Sequence, residues 1–165
     1  MNVVLRIVTA DDIQFVERSV DASDAASFMS RTFPRSYPRY TGADDFTRWH
    51  LIVIEKNVAG TIWMERESDT SECCDLGILI FDSASRGCGL GAEAIKLAEH
   101  DAVVNWGIKL VRLRVRSSNE RAMSCYRRCG YQVSATATKE IVGEAISVLH
   151  MEHRLSVALH ETRRR

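Results

Sequence analysis

The chain has 165 residues, 45% of them hydrophobic, and its 22 basic and 22 acidic residues leave no formal net charge. That length supports one real core, burying roughly 70% of the unfolded surface, and the neutral balance gives no bulk electrostatic reason to expect nucleic acid or membrane as a partner. No apolar stretch approaches a membrane span, the N-terminal segment lacks the apolar core of a secretion signal, and five cysteines without framework spacing read as reduced thiols, so a cytoplasmic location is expected.

In chain order, Val3 to Val8 reads as a first strand. Asp11 to Ser30 carries a helical pattern, interrupted near Ser23-Asp24. Phe33 to Asp45 holds both prolines, Pro34 and Pro38, with Tyr37, Tyr40 and Gly42, which is a loop signature. Leu51 to Glu55 and Gly60 to Arg66 flank Lys56-Asn57-Val58-Ala59 as a hairpin. Leu76 to Phe81 is apolar throughout, as in a strand buried on both faces. Leu90 to Trp106 shows apolar residues at helical spacing and stops at Gly107. From Leu110 to Arg116 the pattern alternates, with Val111, Leu113 and Val115 inward and Arg112, Arg114 and Arg116 opposite as a solvated face. Ser117-x-x-Glu120 reads as a capping box that opens a further helix, whose apolar face is Ala122, Cys125, Tyr126 and Cys129 and whose stop is Gly130. Ile146 to Met151 supplies a last strand. The expected organisation is one domain over residues 1–155 and a frayed basic tail over 156–165.

The segment Arg86-Gly87-Cys88-Gly89-Leu90-Gly91 joins an apolar strand to a helix through glycines. Such a junction offers backbone N–H groups and the positive end of a helix dipole, which suits a phosphate or pyrophosphate. A P-loop would need Lys-Ser or Lys-Thr after the glycines, and none follows. Gly87, Gly89 and Ala92 meet a dinucleotide fingerprint literally, but the next strand carries arginines where an acidic residue is wanted for the ribose. The third reading is R-x-x-G-x-G, from Arg86, Gly89 and Gly91.

That third pattern resembles the acyl-coenzyme A loop of the GNAT superfamily of N-acetyltransferases. The resemblance continues through Val115, Asn119, Ala122, Tyr126 and Gly130-Tyr131, which follow the superfamily's V-x-x-x-N-x-x-A-x-x-x-Y-x-x-x-G-[FY]. Upstream, Asp75-Leu76-Gly77-Ile78 looks like the E-I-G-I segment of the ribosomal-protein and amino-sugar acetylating branches. The resemblance covers about Leu51 to Tyr131 and loosens at both ends. It implies an α/β fold: a mixed, mostly antiparallel sheet of six or seven strands with about four helices, whose central strands splay around acyl-CoA. It implies an enzyme that moves an acetyl group from acetyl-CoA to a primary amine, by direct attack through a tetrahedral intermediate. The acceptor stays open among a protein N-terminus, an amino sugar or aminoglycoside, and a small amine.

On this resemblance Tyr126 is the general acid for the departing thiolate, and Asp75 the base that takes the amine's proton, with Glu65, Glu67 and Glu72 as alternatives. Leu79, Ile80 and Phe81 would pair with the pantetheine arm. Arg86, Gly87, Cys88, Gly89, Leu90 and Gly91 would hold the pyrophosphate, and Asn119 and Tyr126, two helical turns apart, would face one ligand. Read without the family, Tyr126 is a core tyrosine and Asn119 a helix-start residue. Cys125 and Cys129 fall on an apolar helix face, where free Cys acts as a small hydrophobe, and no metal is expected. Acyl-CoA and an amine are the expected partners of a monomer or homodimer. The non-enzymatic alternative is an inactive acyl-CoA-binding sensor or interaction module of the same fold.

Overall fold

The computed structural model describes residues 1–87 and 89–156; Cys88 and residues 157–165 of the expected tail lie outside the described residues. The strands are β1 (Val3–Ile7), β2 (Thr47–Ile54), β3 (Asn57–Glu65), β4 (Cys73–Ile80), β5 (Leu110–Arg116), β6 (Gln132–Ile141) and β7 (Glu144–Arg154). The helices are α1 (Ile13–Asp21), α2 (Leu90–Trp106) and α3 (Glu120–Arg128), with short 3-10 turns at Ala10–Asp12, Ala25–Ser27 and Ser83–Ser85. The strands form one seven-stranded sheet in the order β1-β2-β3-β4-β5-β7-β6. Among the described residues only β4 and β5 pair in parallel, so the sheet is mixed and mostly antiparallel, as the resemblance implied.

The helical pattern over residues 11–30 resolves into a 3-10 turn, α1 and a second 3-10 turn, with the break where Ser23-Asp24 suggested it. The hairpin is tighter than expected. Glu55 and Lys56 alone make the turn, both at positive φ (48° and 74°), which is the two-residue form that matches strand twist. β2 also begins earlier, because Thr47 and His50 are polar yet buried. The seventh strand, β6, carries no periodic signal because nearly all of its residues are exposed, and alternation records a buried face. α3 is capped by Asn119, whose Oδ1 accepts from the Ala122 N–H at 3.3 Å, and not by Ser117. Ser117 instead donates its backbone N–H to Ser147 O, so its main chain continues the sheet. α2 ends at Gly107 in the left-handed region, as read.

Two apolar clusters sandwich the sheet. α2 packs on the face formed by Ile52, Ile62, Met64, Cys74, Leu76, Val111, Leu113 and Val115. The opposite face carries Trp49, Leu51 and Trp63, covered by Val16 of α1 and by Phe33, Tyr37 and Tyr40. Trp63 and Gly77 are direct partners of β3 and β4. The Trp63 indole lies over Gly77 so closely that any Cβ there would overlap its Cε2 and Cζ2 atoms. The glycine in the Asp75-Leu76-Gly77-Ile78 segment is therefore demanded by a buried neighbour.

Gly77→Ala is expected to destabilise the chain by about 1–3 kcal/mol through overpacking. Denaturant unfolding would read this as a lower midpoint with an unchanged slope. A wild-type midpoint would mean that the indole yields.

Candidate functional site

β4 and β5 pair only through Cys73–Leu110, Cys74–Val111 and Asp75–Arg112, and then part. The bond from Phe81 N–H to Ala59 O, at 2.9 Å, sets the phase of the β3–β4 ladder. Odd-numbered residues of β4 therefore bond to β3, and the main-chain groups of Leu76, Ile78 and Ile80 turn toward β5. Of the three residues expected along the pantetheine arm, only Ile80 presents its backbone to the gap. Leu79 and Phe81 spend theirs on β3. The gap opens into a cleft of about 820 Å³ lined by both strands, by α3 and by the segment from Phe28 to Arg35. β4 is thus covered less completely than its apolar run suggested, with Gly77, Ile78 and Ile80 only half-buried.

At the open end lies the glycine segment. Gly87 and Gly89 have φ of 78° and 86°, a region that only glycine occupies readily. A Cβ at either would meet nothing within 4 Å. No side chain caps α2, so the first-turn amides from Leu90 onward remain available to an anion. Arg86 behaves differently from the expectation. Its N–H bonds to Ser83 O at 3.2 Å, and its guanidinium bonds to Asp24 at 2.7 and 3.1 Å and to Ile80 O at 3.0 Å, over the Phe28 ring. Arg86 thus ties the loop to the wall of the cleft. Cys88 lies outside the described residues.

α3 presents Asn119, Ala122, Cys125 and Tyr126 to the cleft. Asn119 is both things the sequence allowed, a helix cap and a cleft residue, for its side-chain NH2 remains after Oδ1 has capped the helix. The Tyr126 ring packs 6.0 Å from that of Tyr131, while its hydroxyl has no hydrogen-bond partner among the described residues. Burial pushes the Tyr126 phenol well above its ordinary value, so it carries its proton at neutral pH. The hydrogen bond from Cys129 lowers the Cys125 thiol against the effect of burial, and Cys129 is raised in turn. Among the described residues no group of three or more His, Cys, Asp and Glu could hold a metal ion.

On the face away from α2, the carboxylates are held by arginines. Asp75 accepts from Arg35 Nη2 at 2.9 Å and from Arg112 Nε at 3.2 Å. Its cross-strand partner Glu65 is 3% exposed, bonds to the Arg31 guanidinium and accepts the Arg35 N–H at 2.9 Å. Glu67 lines the cleft, whereas Glu72 pairs with Lys109 at the surface. Of the strand arginines expected as a solvated face, Arg112 and Arg114 are exposed, and with Arg116, whose Nη1 reaches Ser27 O at 3.1 Å, they also line the cleft. Tyr37 and Tyr40 turn away from it. Tyr37 stacks on Phe33 and donates to Glu17, and Tyr40 is buried on Trp49. Phe28 to Arg31, just before the expected loop, and Arg35 within it supply the wall.

Of the two buried carboxylates, Glu65 was named from the sequence as an alternative base and Glu99 was missed. Glu65 falls in a strand end that reads as polar. Glu99 falls beside Ala98 and Ala102 on α2, where it accepts from the Tyr131 hydroxyl at 2.7 Å and meets His153 Nδ1 at 2.9 Å. The only signal in the sequence is an acidic residue at an apolar helical position. The trio seats Tyr131 behind Tyr126.

A family model described as the acetyltransferase (GNAT) family matches residues 22–131. No curated protein matches the chain. Among solved structures, RimL, a ribosomal alpha-N-protein acetyltransferase in complex with coenzyme A, superposes with a TM-score of 0.76 at 12% identity, over 94% of this chain and 95% of that one. A spermidine N-acetyltransferase from Vibrio cholerae, in complex with coenzyme A and spermine, gives 0.75 at 16% identity over 92% and 95%. A protein provisionally identified as a phosphinothricin N-acetyltransferase gives 0.75 at 18% identity over 94% and 99%. At these identities the likeness is one of fold. No helix among the described residues is long and apolar enough to cross a membrane.

The thiol arrangement predicts an order of reactivity. Near neutral pH, iodoacetamide is expected to alkylate Cys125 ahead of Cys73, Cys74 and Cys129, because burial raises the thiols of Cys73 and Cys74 while Cys125 is lowered and borders the cleft. Peptide mapping over time checks it, and Cys74 labelled as early as Cys125 would refute it.

Proposed function

We propose, from the premise that this chain belongs to the GNAT acetyltransferase family, that it moves an acetyl group from acetyl-CoA to a primary amine bound on the sheet face opposite α2. The observation that carries this reading is the parting of β4 from β5 beyond Asp75, with the Tyr126 hydroxyl beside the gap. The residues present fit an acyl-CoA. Uncapped amides at the start of α2 suit its pyrophosphate, and the main-chain groups of Ile78 with the N–H of Ile80 suit an extended amide-bearing arm. Cations dominate the lining, where only Asp24, Glu67 and Asp75 are acidic.

Each residue then has a task. Gly89, Leu90 and Gly91 offer N–H groups to the phosphates, while Gly87 shapes the turn and Arg86 braces it. Ile78 and Ile80 N–H groups stand where negative charge would develop on the carbonyl oxygen, and such fixed donors cost no reorganisation. An alkyl ammonium is mostly protonated at neutral pH and must lose a proton before it can attack. Asp75 accepts that proton directly or through water. Each of its oxygens has one guanidinium partner, which leaves further lone pairs for the purpose. Tyr126 holds its proton until the thiolate departs and then donates it. Asn119 orients the arm through its remaining NH2 group.

Calorimetry is expected to show saturable binding of acetyl-CoA and coenzyme A, and no comparable binding of NAD, NADP or ATP. Gly89→Trp is expected to abolish it, since the new side chain enters the cleft from a left-handed residue. Tight NADP binding without coenzyme A binding would overturn the reading.

Tyr126→Phe keeps the ring and removes the hydroxyl. It is expected to lower kcat roughly ten- to a thousandfold with coenzyme A affinity little changed, the scale of general-acid effects. Wild-type turnover in a folded variant would remove Tyr126 from the chemistry.

A further inference from the structure

We infer that the amine acceptor is a small molecule that itself carries an acidic group, received by Arg114 and the indole N–H of Trp63. This narrows the acetyltransferase reading and rests on it.

The sheet separates the two substrates by face. Leu113 and Val115 point into the cluster beneath α2, the helix that the glycine segment opens. Arg112, Arg114 and Arg116 alternate with them and point to the other face. There the residues fall into rows across the strands. The first row is Glu65, Asp75, Arg112 and Glu152, joined by strand register. Its charges are matched within the protein, because Arg35 and Arg112 share Asp75 while Arg31 holds Glu65.

The second row is Trp63, Gly77, then across the gap Arg114 and its partner His150. It is not internally satisfied. Arg114 is exposed, lines the cleft and has no hydrogen bond or ion pair among the described residues. Trp63 is 2% exposed and its Nε1 has no partner, although it too lines the cleft. A buried donor left without a partner is costly, because it has lost water and gained nothing in return. The Trp63 indole lies over Gly77 with Nε1 among its nearest atoms, so the glycine is what brings the indole into this row, and the Arg31 guanidinium stands 6.0 Å from the ring.

This row lies about 6–7 Å along the sheet from Asp75, two strand residues on. An amine seated at Asp75 therefore places a group a few bonds away beside Arg114 and the indole. The groups there are donors and cations, so the complement is an anion: a carboxylate, phosphate or phosphonate. Besides Asp24, which pairs with Arg86, the cleft side carries Glu67 at the rim and Glu152 opposite Arg112. Glu67 and Glu152 sit nearer the first row. A polyamine would bring its second cation to Arg114.

The test measures acetyl-CoA-dependent acetylation of α-amino acids and of 2-aminoethylphosphonate, against the matching amino-acid amides and spermidine. At least one acidic amine is expected to exceed its neutral counterpart by roughly tenfold or more in kcat/KM, and the carboxylate and phosphonate arms decide which anion fits. Arg114→Gln, at an exposed position, is expected to raise KM for that amine about ten- to a hundredfold, with kcat and the KM for acetyl-CoA nearly unchanged. Arg114→Lys should restore part of it. Amides or spermidine used as well as acids would overturn the inference. So would an Arg114→Gln effect shared by all amines, or acetyl-CoA binding with no acidic amine turned over. A chain that binds no acetyl-CoA fails the acetyltransferase reading itself.

Discussion

The cleft exists because one strand pairing stops after three residues. β4 and β5 are both held firmly on their outer edges, β4 by β3 from Gly60–Ile80 to Glu65–Asp75, and β5 by β7 along its whole length. Between them the ladder ends at Asp75–Arg112. Beyond that point the main-chain groups of Ile78 and the N–H of Ile80 have no strand to meet. Unpaired backbone groups inside a fold are costly, so they call for a partner. An extended ligand with its own amides is such a partner, and the gap's position within the sheet gives that ligand access to both faces.

Charge is distributed to suit this arrangement. A chain with no net charge nevertheless lines this cleft with eight arginines against three acidic residues. Several are already committed. Arg86 braces the glycine segment through Asp24 and Ile80, Arg31 satisfies Glu65, and Arg35 and Arg112 grip Asp75. The buried carboxylates Glu65 and Glu99 are each met by more than one partner, which is what permits a charge to be buried. Arg114 is left without such a commitment, and the positive excess falls where two substrates would meet. The acceptor class we propose rests on the chemistry of this lining.

Aromatic packing sets the shape of the acceptor side. Phe33, Tyr37 and Tyr40 close around Trp49, drawing the segment after Arg35 onto the core. This leaves Phe28 to Arg35 over the cleft. Trp63 lies flat across Gly77, so its indole forms part of the wall beside the gap.

The sequence by itself determined the strands whose faces are buried, α2 with its stop at Gly107, and the glycine turn from Arg86 to Gly91, because periodicity and φ requirements are local. It also carried the spacing of Asn119 and Tyr126, which depends only on helical pitch. It could not reveal β6, an edge strand exposed almost throughout, since a strand without a buried face leaves no alternation. Nor could it say that Arg112, Arg114 and Arg116 face a cleft, because an arginine beside water and one beside a ligand site produce the same pattern. The parting of β4 and β5, the pairing of Asp75 with two arginines and the overlay of Trp63 on Gly77 were decided by tertiary structure alone. Each joins residues separated by more than ten positions, and whether they meet depends on how every intervening element packs.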